Sequence, residues 1–344
     1  MNRKSPEDIL KIGQEIPDFS PRILLTYIQL WQLEIWLRHM VYIELKARDG
    51  DNWSNVVQMT DRPRKADKRL THMPTPESEP LSYASFSELR RLISENWYLF
   101  SQYLPPKNIW EAKLDELAQV RNRVAHFRRG HPDDLQRVNQ LLRDIDKGFW
   151  LFCTSYNDSI PVLPQKDDPV TLEFLQLNPF PYSEIEKGKW AMFGQAASGM
   201  KYTVTIETLK RVWARTASQV DGSKGYLYDV RITARDRRIY DYRRLLEDTQ
   251  DIHQHFVHIC LDKYKNSIRV TIPAIIRSET VIKLVKHLIK ITEYTIHPGP
   301  ENIDESDNSV QLFSEKWPEL ILGPDNPLTF LDPDMPCRFF SVYR

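Results

Sequence analysis

The sequence predicts two domains, an all-α helical bundle followed by an α+β domain, on three observations. Apolar residues recur at helical spacing through most of residues 20–157. A proline-studded connector, "DSIPVLPQKDDPVTLEFLQLNPFPYSE", then interrupts the pattern. Beyond it, short runs rich in β-branched residues read as strands around one amphipathic helix. The expected boundaries are a bundle over 1–157, a connector over 158–185, an α+β domain over 186–296 and an irregular tail over 297–344. A chain of 344 residues is long enough for two cores at roughly 150 residues per domain.

From Pro21 to about Lys46, Ile23, Tyr27, Leu30, Leu37 and Val41 form one apolar stripe, and Leu24, Ile28, Trp31, Ile35, Tyr42 and Leu45 form another. A helix apolar on so much of its circumference needs partners on several sides. Glu34 lies on the first stripe, where a carboxylate is either paired or facing a site. Residues 61–80, "DRPRKADKRLTHMPTPESEP", have no apolar period and predict a long loop with a cationic front half. Ser85 and Ser87 are N-cap candidates for a helix through "ELRRLISENWYLFSQYL", stopped by Pro105 and Pro106. Asn108 is the candidate cap of the next helix, which carries Trp110, Leu114, Leu117 and Val124. Gly130 and Pro132 mark a tight turn, with Pro132 expected to open the last helix of the bundle, whose stripe is Leu135, Val138, Leu142, Ile145, Phe149 and Phe152. In the second domain "KYTVTIE", "YLYDVRITA", "FVHICLDKY" and "SIRVTIPAII" predict strands, "VDGSKGY" a hairpin turn, and "SETVIKLVKHLIKITEY" a helix capped by Ser278.

Composition removes several function classes. Lysine plus arginine and aspartate plus glutamate both number 47, so no global field draws in nucleic acid or an anionic membrane; such contacts need local patches. The cysteines Cys153, Cys260 and Cys337 lack paired spacing, which argues against a disulfide framework or a zinc site and for a reducing compartment. The first residues lack the apolar core of a signal peptide, and the most hydrophobic stretch is broken by Gln29, Gln32, Glu34 and Arg38. The expected localisation is cytoplasmic, with no membrane partner.

The segment that carries chemistry is "LAQVRNRVAHFRRGHP", residues 117–132. On a regular helix Leu114, Leu117, Arg121, Val124 and Ala125 share the apolar seam, and Asp115, Gln119, Asn122 and His126 a polar stripe. A guanidinium on a seam needs a carboxylate or a phosphate, and Glu34 and Glu116 are the carboxylates at hand. His126 sits in the last turn, where the helix dipole favours imidazolium while Arg128 and Arg129 oppose it. Metal-free RNA cleavage needs a base for the 2'-hydroxyl, an acid for the leaving oxygen and cations for the phosphorane. One histidine and one arginine are too few unless two chains meet.

"VRNRVAHF" matches the R-N-x-x-x-H signature of the HEPN superfamily, whose domains are bundles of four or five helices with this motif near the end of the penultimate long helix. "FSELRRLISENWYLFSQYL", "WEAKLDELAQVRNRVAH" and "LWQLEIWLRHMVYIEL" resemble the abortive-infection and stress-response branch, over roughly residues 20–157. The later half resembles no family. The resemblance implies a metal-independent, cofactor-free endoribonuclease of the toxin or antiphage-defence kind, with a composite site across a two-fold homodimer. In that reading paired His126 side chains do the acid and base work, Arg121 holds the scissile phosphate, and Asn122 orients the site. The products are a 2',3'-cyclic phosphate and a 5'-hydroxyl. The implied partners are RNA, tRNA among the candidates, and an antitoxin or sensor protein, with the C-terminal domain regulating or sensing. HEPN toxins silenced by adenylylation carry a tyrosine two residues after the histidine; Arg128 stands there instead, so that control is unsupported.

Three further constellations are weaker. Arg62, Arg64, Lys65, Lys68 and Arg69 offer phosphate contacts beside those of Arg128 and Arg129, or else a solvated loop. His253, His255 and His258 on one strand point to opposite faces, which disfavours a metal site. "GSKG" is too short for a phosphate-binding loop, and no Gly-x-Ser-x-Gly is present. The alternative reading is a non-catalytic HEPN-like protein that dimerises or binds nucleotide while its C-terminal domain recognises a ligand or partner.

Overall fold

The computed structural model describes residues 20–57, 61–73, 75, 77–126, 128–157, 161–162, 167–179, 182–186, 189–192, 200–300, 308–331 and 339–340. The chain groups by contact into two compact units, one of Met1–Val41, Ala84–Phe152 and Pro333–Arg344, the other of Tyr42–Tyr83 and Cys153–Asp332.

The first unit is helical. Its long elements are α1 (Pro21–Asp49, of which it holds the part to Val41), α2 (Phe86–Glu95), α3 (Lys107–Ala125) and α4 (Asp134–Thr154, to Phe152). Leu30, Leu33, Leu37 and Met40 of α1, Leu89 and Ile93 of α2, Trp110, Leu114, Leu117 and Val120 of α3, and Val138, Leu142, Ile145 and Phe149 of α4 are buried, each set recurring at three or four residues. Tyr27 and Trp31, expected on apolar stripes, are more than half exposed. Helix α2 starts at a capping box: the Ser85 hydroxyl accepts the Glu88 N–H, and Glu88 accepts that of Ser85, which selects Ser85 over Ser87. It ends at Asn96, and a short turn of helix, Trp97–Phe100, completes what reads as one helix in sequence. Pro106, not Asn108, occupies the N-cap of α3, and Asn108 lies inside its first turn. Helix α4 opens at Asp134, two residues after Pro132, because the Asp134 carboxylate accepts the His131 N–H at 2.8 Å. Gln29 of α1 donates to Asn139 of α4 at 2.6 Å. Gly148 of α4 lies directly against the Tyr103 carbonyl, where a Cβ would overlap backbone. Phe339 and Phe340 pack their rings against Phe149, so this piece of the expected irregular tail belongs to the bundle.

The second unit is built on a six-stranded mixed sheet of β1 (Pro161–Val162), β2 (Tyr202–Lys210), β3 (Tyr226–Ala234), β4 (His258–Leu261), β5 (Ser267–Pro273) and β6 (Ile321–Leu322). The order is β1-β2-β3-β5-β4-β6, antiparallel except for the β4–β6 pair. One face carries Tyr228, Val230, Ile232, Ile259, Val270 and Ile272, which join Val281, Leu284, Val285 and Leu288 of α5 (Ser278–Thr295) in one core. On the other face Asp229, Thr271 and His258 lie in one row of the ladder. There the Tyr156 hydroxyl meets His258 Nδ1 at 2.7 Å, and Thr271 donates to Asp229 at 3.2 Å. Arg211, fully buried, grips the fully buried Glu44 through Nε at 3.1 Å and Nη2 at 2.6 Å and donates to the Ser155 carbonyl at 2.9 Å. Trp213 Nε1 adds a bond of 2.6 Å to Glu44. These bonds, with that of Lys46 Nζ to the Gln254 carbonyl at 2.5 Å, explain why residues 42–83 group with the later chain rather than with the bundle that precedes residue 157 in a linear reading.

Four expectations are corrected in this unit. Asp61–Lys68 is a helix, not loop, since its polar sequence has helix formers without an apolar period. His253 and His255 lie in a 3-10 turn, Gln250–His255, and only His258 is in a strand. Ser278 is the first residue of α5 instead of its cap; its N–H is taken by the Asp221 carboxylate of the Asp-Gly turn at 2.6 Å. The stretch 308–331, expected to be irregular, contains helices Ser309–Lys316 and Pro327–Phe330 and edge strand β6. No helix among the described residues is long and apolar enough to cross a membrane.

Candidate active site

Helix α3 positions the motif. Its buried seam is Trp110, Leu114, Leu117, Val120 and Val124, so Val120 takes the place expected for Arg121, and Ala125, expected to be buried, is exposed. The seam is therefore turned by about 30 degrees from the expected one, and Arg121 stands at its edge, with 37% of its side chain exposed. Its Nε lies 3.8 Å from Glu34 of α1, outside hydrogen-bond reach. Glu34 itself is engaged at 2.5 Å by Arg38, and Glu116, the other carboxylate available in sequence, pairs with Arg137 at 3.3 Å. Arg121 thus faces an anion already neutralised by a second cation, and retains capacity for another acceptor.

Asn122 and His126 are both exposed and four residues apart, on the stripe beside Arg121. His126 is the C-cap of α3: its N–H still makes the helical bond to the Asn122 carbonyl at 3.3 Å, its own backbone leaves the helical conformation, and the residue is exposed. Arg128 and Arg129 follow, exposed, in the α3–α4 connection. That connection is anchored by Arg123, whose guanidinium makes two bonds to the Asp134 carboxylate. Burial works to raise the Asp134 carboxyl, but Arg123 and the His131 N–H outweigh it and hold it below the ordinary value.

Beside this end of α3, within the first unit, lies a cavity of about 780 Å³ lined by Arg128 and Arg129 and by residues at the start of α1, Arg22 among them. Arg22 had no signal in sequence, because a lone arginine after a proline reads as a solvated helix end. The other predicted cations belong to the second unit: Lys65, Lys68 and Arg69 are exposed and Arg64 is half-buried, while the Arg62 side chain lies outside the described residues, as does Cys337. No group of three His, Cys, Asp or Glu that could hold a metal occurs among the described residues.

Residues 29–146 match the Swt1-like HEPN family. The HEPN segment takes in Glu34, Arg121, Asn122 and His126 and reaches into α4, so the resemblance read from the R-N-x-x-x-H motif holds for the helical region. The α+β region lies beyond the match. No curated protein and no solved structure matches the chain.

Proposed function

We propose that this protein is a HEPN-type endoribonuclease, a toxin or antiphage-defence effector that cleaves RNA, tRNA among the candidates, at a site completed by a second copy of the chain. The observation that carries the reading is the exposure of His126 and Asn122, with Arg121 alongside, at the end of α3 inside the HEPN segment. One His126 removes the proton of a 2'-hydroxyl as that oxygen attacks phosphorus; the partner subunit's His126 protonates the departing 5'-oxygen as its bond to phosphorus breaks. Arg121 holds charge on the phosphorane and Asn122 orients the phosphate. The step leaves a 2',3'-cyclic phosphate and a 5'-hydroxyl and calls for no metal or other cofactor. Arg128 and Arg129 extend the cationic track; Arg62, Arg64, Lys65, Lys68 and Arg69 of the second unit are separate candidate phosphate contacts; Glu34 supports Arg121. The cytoplasm is the expected compartment, and the α+β domain is the place for control by an antitoxin or sensor protein.

Growth after induction of wild type and His126→Ala, with total RNA resolved on a denaturing gel from EDTA-treated extracts, tests the reading. Arrest with RNA fragments in the wild type alone supports it. The Arg121–Glu34 contact favours a second reading, a non-catalytic HEPN-like protein that dimerises or binds nucleotide, in which Arg121 is structural. Equal behaviour of the two strains favours that one.

A further inference from the structure

The cavity beside the motif has the chemistry of a nucleotide site. Arg22 projects from the first turn of α1, and Arg128, Arg129 and His131 from the α3–α4 connection; all four are exposed and line the same space. Among the described residues no carboxylate pairs with the guanidinium of Arg22, Arg128 or Arg129. The one buried acid on the wall, Asp134, is already matched by Arg123. The wall therefore keeps an excess of three exposed guanidinium charges, whose mutual repulsion a bound anion relieves. Arg22 Nη1 donates to the Pro132 carbonyl at 3.1 Å, which fixes its orientation and leaves the rest of its fork for another acceptor. Ile23 and Val124 add apolar side chains to the lining. At about 780 Å³ the space falls in the range of roughly 300–1,000 Å³ that holds small organic ligands, well above what one inorganic anion fills.

We propose that this cavity seats a nucleotide of single-stranded RNA next to the cleaved bond, with Arg22 and Arg129 on its phosphates and its base against Ile23 and Val124. The proposal rests on the nuclease reading and gives it a substrate class: a base that enters a cavity has left its stack, so the RNA bound there is a loop, bulge or unpaired end. Arg22, outside the segment that carries the motif, becomes a specificity residue that docks substrate without touching the reacting atoms.

The test measures binding apart from cleavage. In a His126→Ala background, fluorescence anisotropy of a labelled single-stranded RNA and of its duplex is followed over a salt series, with Arg22→Gln, Arg129→Gln and, as a control on exposed α4, Arg143→Gln. Expected is preference for the single strand, a loss of about tenfold or more in affinity with Arg22→Gln, and a salt dependence shallower by about 0.7 for each phosphate contact removed. Arg143→Gln leaves both quantities unchanged. Arg22→Gln and Arg129→Gln binding as the control does, or the duplex binding as tightly as the single strand, overturns the proposal. The nuclease reading fails separately: absence of cleavage by the wild type alongside Arg22-dependent binding removes the catalysis and keeps the site.

Discussion

Replacing Arg121 by alanine separates a catalytic arginine from a structural one, and the structure fixes how much stability it should cost. Its contact with Glu34 is 3.8 Å long and 37% of its side chain is exposed, so the pair is of the solvent-screened kind that contributes roughly 0.2–1 kcal/mol. Glu34 does not become an unpaired buried charge on its removal, because Arg38 holds it at 2.5 Å. Alanine also gains a few tenths of a kcal/mol in helix propensity at this position. The net cost is therefore about 1 kcal/mol or less, a shift of a few degrees in Tm. Cleavage should fall far more, about 10²–10³-fold, as expected when a charged donor to a developing oxyanion is lost. Urea unfolding followed by far-UV circular dichroism gives the first quantity, and cleavage of an end-labelled RNA the second. Destabilisation beyond about 3 kcal/mol, or cleavage retained within tenfold in a folded protein, refutes the reasoning.

Three other outcomes test the fold and its chemistry. Arg211→Met strands the fully buried Glu44 and should destabilise the second unit by about 3–5 kcal/mol; adding Glu44→Leu should recover much of that in a double-mutant cycle. Gly148→Ala, despite the better helix former, should lower the melting temperature, since its Cβ overlaps the Tyr103 carbonyl and overpacking of this kind costs about 1–3 kcal/mol. Burial, then the neighbouring Glu319 carboxylate, pushes the Glu79 carboxyl up from 4.5 to about 7, with Lys46 and Arg64 partly offsetting them. Because the folded value is the higher one, this group's contribution is complete below about pH 4.5 and is lost as pH rises through about 7. Glu79→Gln should flatten the melting temperature between pH 5 and 8, and an unchanged slope on that substitution would contradict the shift.

The elements that were legible in sequence are those with a clear apolar period or a bounded run of β-branched and aromatic residues. Leu114, Leu117 and Val124 announce α3, Val138, Leu142, Ile145 and Phe149 announce α4, and the apolar, β-branched run "YLYDVRITA" has the observed limits of β3, a strand buried on both faces over most of its length. Asp61–Lys68 was hidden because a helix with no apolar face leaves no period. The histidines of "HQHFVH" look like strand residues because the run beyond them is one, but the 3-10 turn ends only at Phe256, whose N–H bonds back to the His253 carbonyl. Val120 in place of Arg121 turns the seam by only about 30 degrees, since Leu114, Leu117 and Val124 stay on it, and those shared positions do not decide so small a turn. The motif residues themselves were legible by spacing; Arg22 was not, because it is brought to the cavity by the approach of two chain segments more than one hundred positions apart.

His126 separates the catalytic reading from the non-catalytic one. Purified wild type and His126→Ala, both in EDTA, should be incubated with a defined single-stranded RNA and the fragment ends analysed by mass spectrometry. The account predicts fragments with 2',3'-cyclic phosphate and 5'-hydroxyl ends from the wild type and intact RNA from His126→Ala. Fragments in equal yield from both proteins, or cleavage abolished by EDTA, would contradict it.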